Sequence, residues 1–281
     1  MNSQHLNCIA NPNKGFGWNF LKKKPLVSVL SLSGVIAKNG RFAMNLESLS
    51  ESIDQAFAFP NLHAVCLLIN SPGGSPVQSE LISSRIISLS QKKKVPVYSF
   101  IEDVGASGGY WLACAGEKIF SSVNSIVGSI GVISSSFGLT EIAKKLGIER
   151  RIRTQGRNKI ISDPFLPEDP ERVEILLDMQ RQIHEAFIAY VRNRRGEKLN
   201  KNDSIDLFDG RIWTGIEGVK LGLVDEIQNL YEFIDKTFGD KVIVKFIKKR
   251  ESWVRRRFGM DIVADVADCF KSNVQELLLT K

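Results

Sequence analysis

Histidine is scarce in these 281 residues, limited to His5, His63 and His184, and the four cysteines (Cys8, Cys66, Cys114, Cys269) form no C-x-x-C pair. Structural metal centres built from closely spaced thiolates and imidazoles are excluded on spacing, and no metal or cofactor is expected. Cys66 and Cys114 sit inside apolar runs, which reads as core packing and fits a reducing compartment. No run reaches the ~18 apolar residues of a membrane span, and Met1 to Phe20 is polar, without the charged-then-apolar order of a secretory signal. The reading is therefore of a cytoplasmic protein, peripheral at most to the inner face of a membrane.

What the chain does contain is ordinary globular composition, 43% hydrophobic and 25% charged, which argues against disordered and fibrous classes. The net charge of +7 gathers in Lys22 to Lys24, Lys92 to Lys94, Arg192 to Arg195 and Lys248 to Arg257. Basic runs without interleaved aromatics or a nucleic-acid motif read as solvated faces, so no nucleic-acid partner is expected. The tail differs. Trp253 and Phe258 bracket Arg255, Arg256 and Arg257 beside Lys248, Lys249 and Arg250, a mixture suited to peripheral contact with an anionic membrane or an acidic partner.

The hydrophobic pattern gives an ordered core between a polar leader (1–24) and a basic extension (248–281), with 25–247 as one domain and no internal repeat. Leu26 to Leu32, Ala64 to Ile69, Val95 to Ile101, Lys118 to Phe120 and Lys241 to Ile247 read as strands. Ile148 to Ile152 is strand-like. Helical spacing covers Leu46 to Phe59, Val77 to Gln91, Ser107 to Ala115, Pro170 to Arg195, Gly215 to Leu223 and Leu230 to Phe238. Strands alternating with helices predict an α/β fold with a largely parallel sheet flanked by helices.

Gly105-Ala-Ser-Gly-Gly-Tyr follows a predicted strand and opens a predicted helix, so Ser107 is expected at a tight strand-to-helix turn. Free backbone amides there stabilise an oxyanion, and Gly108 lets a carbonyl approach. The plainer alternative is an N-cap serine in a glycine turn. A second turn, Asn70-Ser-Pro-Gly-Gly, ends the Ala64 to Ile69 strand, and a parallel sheet would set it on the same carboxyl edge. Amides of Gly73 or Gly74 together with Gly108 would make a two-donor oxyanion hole.

A serine nucleophile needs a base. Gly105-x-Ser-x-Gly fits the nucleophile elbow of α/β-hydrolases, but that arrangement requires a histidine on a late loop, and none of the three is so placed. A lysine serves instead where burial keeps it neutral; moving an amine pKa from about 10.4 to about 8 costs roughly 3 kcal/mol. Among many lysines, Lys159 stands beside the apolar pair Ile160-Ile161 and the stretch Asp163-Pro-Phe-Leu-Pro. Composition alone does not select it.

In order and spacing, Asn70-Ser-Pro-Gly-Gly, Gly105-Ala-Ser-Gly-Gly-Tyr-Trp, Val127-Gly-Ser-Ile-Gly-Val, Asp209-Gly-Arg-Ile-Trp-Thr-Gly and Leu221-Gly-Leu-Val-Asp resemble the signal peptide peptidase A and SohB family, peptidase family S49. The resemblance runs from about Val27 to Ile227. It implies a ClpP/crotonase-like fold of repeated ββα units and a Ser/Lys dyad hydrolysing remnant signal peptides or other hydrophobic peptides. Position by position, it implies Ser107 as nucleophile, Lys159 as base and Ser129 as the serine that orients the lysine. It also implies ring- or dome-shaped homo-oligomers in which the lysine reaches a neighbouring protomer's serine. Members commonly carry an N-terminal membrane anchor, which this sequence does not display. Val132, Ile133, Phe137 and Phe165 are expected to offer an apolar pocket.

Two rivals remain. A crotonase-type acyl-CoA enzyme would need a carboxylate at the oxyanion site, for which Glu102 and Asp103 are nearest in sequence. A catalytically silent scaffold would keep the fold and dispense with the dyad.

Overall fold

The computed structural model describes residues 24–40, 43–199 and 205–247. The expected leader, apart from Lys24, and the whole basic extension lie outside the described residues, as do His5, Cys8 and Cys269.

Strand β1 (Leu26–Ser33) leads through helix α1 (Leu46–Ala56) into β2 (Leu62–Ser71), α2 (Pro76–Lys93) and β3 (Val97–Ala106). Short elements follow: α3 (Gly108–Ala113), β4 (Lys118–Ser121), β5 (Ile126–Gly128) and α4 (Thr140–Lys145). The long helix α5 (Pro170–Arg195) precedes β6 (Ile212–Thr214), α6 (Gly215–Lys220), β7 (Glu226–Ile227), α7 (Leu230–Phe238) and β8 (Ile243–Ile247). Helix starts follow local chemistry. Asn45 with Ser48 and Asn229 with Glu232 form reciprocal caps, and Ser75-Pro76 and Asp169-Pro170 place a capping side chain before a proline at the first turn.

One sheet runs β6-β5-β3-β2-β1-β8, with β4 against β3 and β7 against β4. Every pairing is parallel except β5 with β6. Alternate residues of β1 and β2 feed two cores. Leu30, Leu32, Val65, Leu67 and Ile69 face α1, α2, α3 and α5, while Val27, Val29, Ala64 and Cys66 face Leu230, Phe233 and Ile234 of α7. Burial on both faces is why these strands read as near-continuous apolar runs.

Strand β3 forks, and the fork positions the site. Its first half, Tyr98 to Ile101, pairs with β4, and its second half, Val104 to Ala106, pairs with β5. The end of β3 is thereby laid directly beside Gly128.

The sequence reading departs from the structure in two places. Ile148 to Ile152 is not a strand: Glu149, Arg150 and Arg151 are exposed and Ile148 is more than half exposed, so the stretch has no buried face to pair. The Arg192 to Arg195 run is only in part a solvated face: Arg192 is exposed, but the last two arginines turn inward. Arg194 donates to the carbonyls of Cys114, Ala115 and Gly116 just past α3, and Arg195, buried, donates to Gly222 and to Asp225 at 2.7 Å. Lys92 to Lys94, by contrast, are exposed as expected.

Candidate active site

Because Ser71 of β2 pairs with Gly105 of β3, the two glycine turns emerge on the same edge of the sheet. They touch. Gly73 has φ +103, and a Cβ there would lie 2.6 Å from the Gly108 nitrogen and 2.8 Å from Ser107 Cβ, so only glycine fits. The Gly73 amide donates to Ser71 Oγ at 3.2 Å, and Ser71 Oγ donates to the Gly34 carbonyl at 2.7 Å. Ile36 donates to the Gly73 carbonyl, and Ser75 donates back to the Ile36 carbonyl. The Asn70 turn is thus fastened to the chain leaving β1.

Ser107 occupies the N-cap position of α3 with φ 52 and ψ −122, and its side chain makes no capping bond. Asn45 and Ser75, at equivalent positions of α1 and α2, do cap. The plain N-cap explanation of Ser107 therefore fails. A non-glycine residue in this backbone region costs on the order of 1–3 kcal/mol and persists only when its surroundings over-determine it. They do so here: the Ser107 amide donates to the Gly128 carbonyl at 2.8 Å, and the next two side chains are anchored. Tyr110 donates its hydroxyl to the Leu223 carbonyl at 2.8 Å, and Trp111 donates to Ser83 Oγ at 3.1 Å while stacking on Phe187 and Tyr190.

A cavity of about 280 Å³ opens at Ser107. Gly74, Gly108, Ser107 and Ser129 supply its polar side; Trp111, Val132, Ile133, Ile183 and Phe187 supply its apolar side. Ser129 also has φ 52, and its amide donates to the Arg211 carbonyl at 2.8 Å. Val132 and Ile133 stand where the sequence reading put them. Phe137 instead lines a separate groove of about 560 Å³, and Phe165 is exposed. Ile183 and Phe187 went unrecognised as site residues. Their spacing of four on an amphipathic helix marks a buried face but not what that face covers.

The structure brings Ser107, Ser129, Gly74 and Gly108 together, with Gly73 packed behind them. It does not bring Lys159 to them. Lys159 is exposed on a turn, its amide donating to the Gly156 carbonyl, and it is not among the residues lining the Ser107 cavity. Carboxylates are also absent from that lining: Glu102 and Asp103 line another cavity, where Asp103 accepts from Asn70 at 2.7 Å. Burial pushes the Cys66 and Cys114 thiols up to about 12, which removes them as nucleophiles. Among the described residues no cluster of ligands could hold a metal ion, and no helix is long and apolar enough to cross a membrane.

Known proteins resemble this chain to differing extents. The profile of peptidase family S49 matches residues 89–241, which include Ser107, Ser129 and Lys159. A Brucella melitensis protein named Na(+)/H(+) antiporter NhaA is 45% identical over 241 residues, covering 84% of this chain and 32% of that protein. The chain thus spans about a third of that relative. The putative protease MJ0651 of Methanocaldococcus jannaschii is 34% identical over 190 residues, 68% of this chain and 58% of the relative. Among solved structures, a membrane-bound stomatin-specific protease, 1510-N, as a lysine-to-alanine variant in complex with a substrate peptide, superposes with a TM-score of 0.50 at 16% identity. That likeness covers 88% of this chain and 99% of the other, and it bears on the fold alone. A profile matching more than half of the chain, and containing the serine that the fork of β3 presents, decides the family: this chain belongs to peptidase family S49.

Proposed function

We propose that residues 25–247 form a serine endopeptidase that attacks peptide bonds with Ser107. The observation that carries this reading is a serine held at φ 52, with no side-chain cap bond, in one glycine turn packed against another and open to a cavity with an apolar side. Hydrolysis by a strained, presented hydroxyl beside backbone donors is the chemistry such a site suits. Membership of a peptidase family and the name of the archaeal relative support it.

In the proposed reaction the unprotonated Lys159 amine accepts the Ser107 proton, and the alkoxide attacks the substrate carbonyl. The resulting oxyanion rests on the amides of Gly108 and Gly74, with Gly73 as the alternative donor. Gly74 is favoured because it lines the cavity, whereas the Gly73 amide is already bonded to Ser71. The amine then protonates the leaving nitrogen, and water hydrolyses the acyl-enzyme. Ser129 orients the amine. Lys159 stands exposed on the segment between α4 and α5, so the dyad closes either by movement of that segment or across a homo-oligomer interface. Exposure of Phe137 (83%), Ile142 (56%) and Leu146 (68%) within ten residues of sequence supports assembly.

The apolar lining supports hydrophobic peptides, remnant signal peptides among them, as substrates. Free, buried Cys66 and Cys114 support a reducing, cytoplasmic setting, with peripheral contact to an anionic membrane through the basic clusters. The crotonase-type alternative loses ground because its carboxylate is missing from the Ser107 cavity.

The test is labelling by a fluorophosphonate probe together with hydrolysis of an apolar peptide, comparing wild type with Ser107→Ala and Lys159→Ala. Both substitutions are expected to abolish both signals. Wild-type hydrolysis in the pair of variants would remove the dyad.

A further inference from the structure

Gly128 to Gly131 run beside Ser107, with Ser129 and Gly131 lining its cavity, and the contacts of these four residues leave little freedom. The Gly128 carbonyl accepts the Ser107 amide, the Ser129 amide donates to Arg211, and Ile130 is fully buried. The Gly131 amide donates to the Ser129 carbonyl at 3.0 Å, closing a tight turn around Ile130. The outstanding group is the Ile130 carbonyl, which points toward α5. There His184 Nε2 lies 2.9 Å from it, partly buried. A carbonyl oxygen can only accept, so Nε2 carries the proton and donates.

We propose that His184 is a positioning residue for the Ser107 site: its Nε2–H bond to the Ile130 carbonyl holds the Ser129–Gly131 turn in place. The inference rests on the peptidase reading above. Its physical basis is that Ser129 sits at φ 52, a backbone state that a serine leaves unless it is held. Arg211, just before β6, holds the turn by one bond, and His184 of α5 holds it by another. The same helix places Ile183 and Phe187, either side of His184 in the sequence, on the cavity. Helix α5 thus supplies both the apolar wall of the pocket and the clamp on its polar wall, so the two move as one unit. Without the bond the turn can leave its left-handed conformer, and Ser129 and the Gly128 carbonyl shift relative to Ser107.

The experiment uses the full chain with an apolar peptide substrate, the fluorophosphonate probe and thermal melting. His184→Leu, similar in bulk but without a donor, is expected to lower kcat about tenfold with KM changed less than about twofold, and to slow probe labelling in parallel. His184→Gln, whose amide nitrogen reaches where Nε2 does, is expected to restore kcat to within about twofold of wild type. A purely structural histidine would lower the melting temperature while leaving kcat of the folded enzyme intact. If the leucine variant fails to fold, His184→Gln and His184→Glu make the comparison at equal length, the glutamate lacking the donor and expected to be slow. Wild-type kcat in the donor-less variants, or a glutamine variant as slow as they are, overturns the assignment while Ser107→Ala stays inactive. Hydrolysis that persists in Ser107→Ala removes the peptidase reading itself, and this inference with it.

Discussion

The amide of Ser107 donates to the carbonyl of Gly128 at 2.8 Å, so the proposed nucleophile and the turn bearing Ser129 are neighbours in one hydrogen-bonded ladder. That single bond continues the β3–β5 pairing one residue past the strand, and it holds Ser107 in a backbone state it would not adopt alone.

The tightest point of the site is Gly73. A methyl group there would meet backbone at 2.6 Å, at a φ of +103. Gly73→Ala is expected to cost at least about 2 kcal/mol of stability and, by displacing Ser107 and Gly108, to lower kcat about a hundredfold. Denaturant unfolding and steady-state kinetics check this; a variant with wild-type stability and rate would mean the turns are not in contact in solution.

Phe187 is buried, stacks on Trp111 with ring centroids 4.9 Å apart, and forms the apolar end of the Ser107 cavity. Its truncation to alanine is expected to destabilise the chain by about 3–5 kcal/mol and to enlarge the pocket. Peptide profiling should then move toward bulkier side chains at the cleaved bond. An unchanged preference would place the specificity pocket elsewhere.

Buried Arg195 and partly buried Asp225 make an ion pair at 2.7 Å, joined by Lys198 at 2.8 Å. Burial opposes ionisation of Asp225, yet the bonds from Arg195, Lys198 and the Ile119 amide outweigh it and hold the carboxyl below its usual range. The pair therefore stabilises the fold fully above the ordinary aspartate range, and the contribution is lost as pH falls through the lower folded value. Asp225→Asn is expected to cost about 1–3 kcal/mol near neutral pH, where it leaves the buried Arg195 charge with only the Gly222 carbonyl as partner, and progressively less in acid. Melting temperatures of both proteins across about pH 3 to 7 test this; a constant difference would contradict it.

Phe137 and Leu146 are 83% and 68% exposed, so Phe137→Ser and Leu146→Ser should leave the stability of the folded chain within about 0.5 kcal/mol. If these side chains join protomers, the double variant will show a lower mass by light scattering and lose peptidase activity together. A wild-type chain that is monomeric at assay concentration and fully active would rule out completion of the dyad across an interface.

How much of this was legible beforehand depended on run length. Strands β1 and β2 and helix α5 could be read because each carries a long apolar pattern, and the bounds expected for α5 coincide with those found. Strands β5, β6 and β7 have two or three residues and α4 has six, too few for any period to show. Arg194 and Arg195 look like surface charge in a basic run, and only their partners, Cys114 to Gly116, Gly222 and Asp225, explain why they turn inward. Ile183, His184 and Phe187 were visible as helix residues, but nothing local says that they meet residues 130–133.

From the sequence alone came the α/β class, the two glycine turns and the serine within the second, because glycine spacing and strand periodicity are local properties of a chain. Tertiary structure alone decided that Gly73 lies against Ser107, that Ser129 is pinned by Arg211 and that α5 closes the pocket. Those contacts join segments far apart in the chain, and they exist only once the forked β3 and the two packed cores have set the segments side by side.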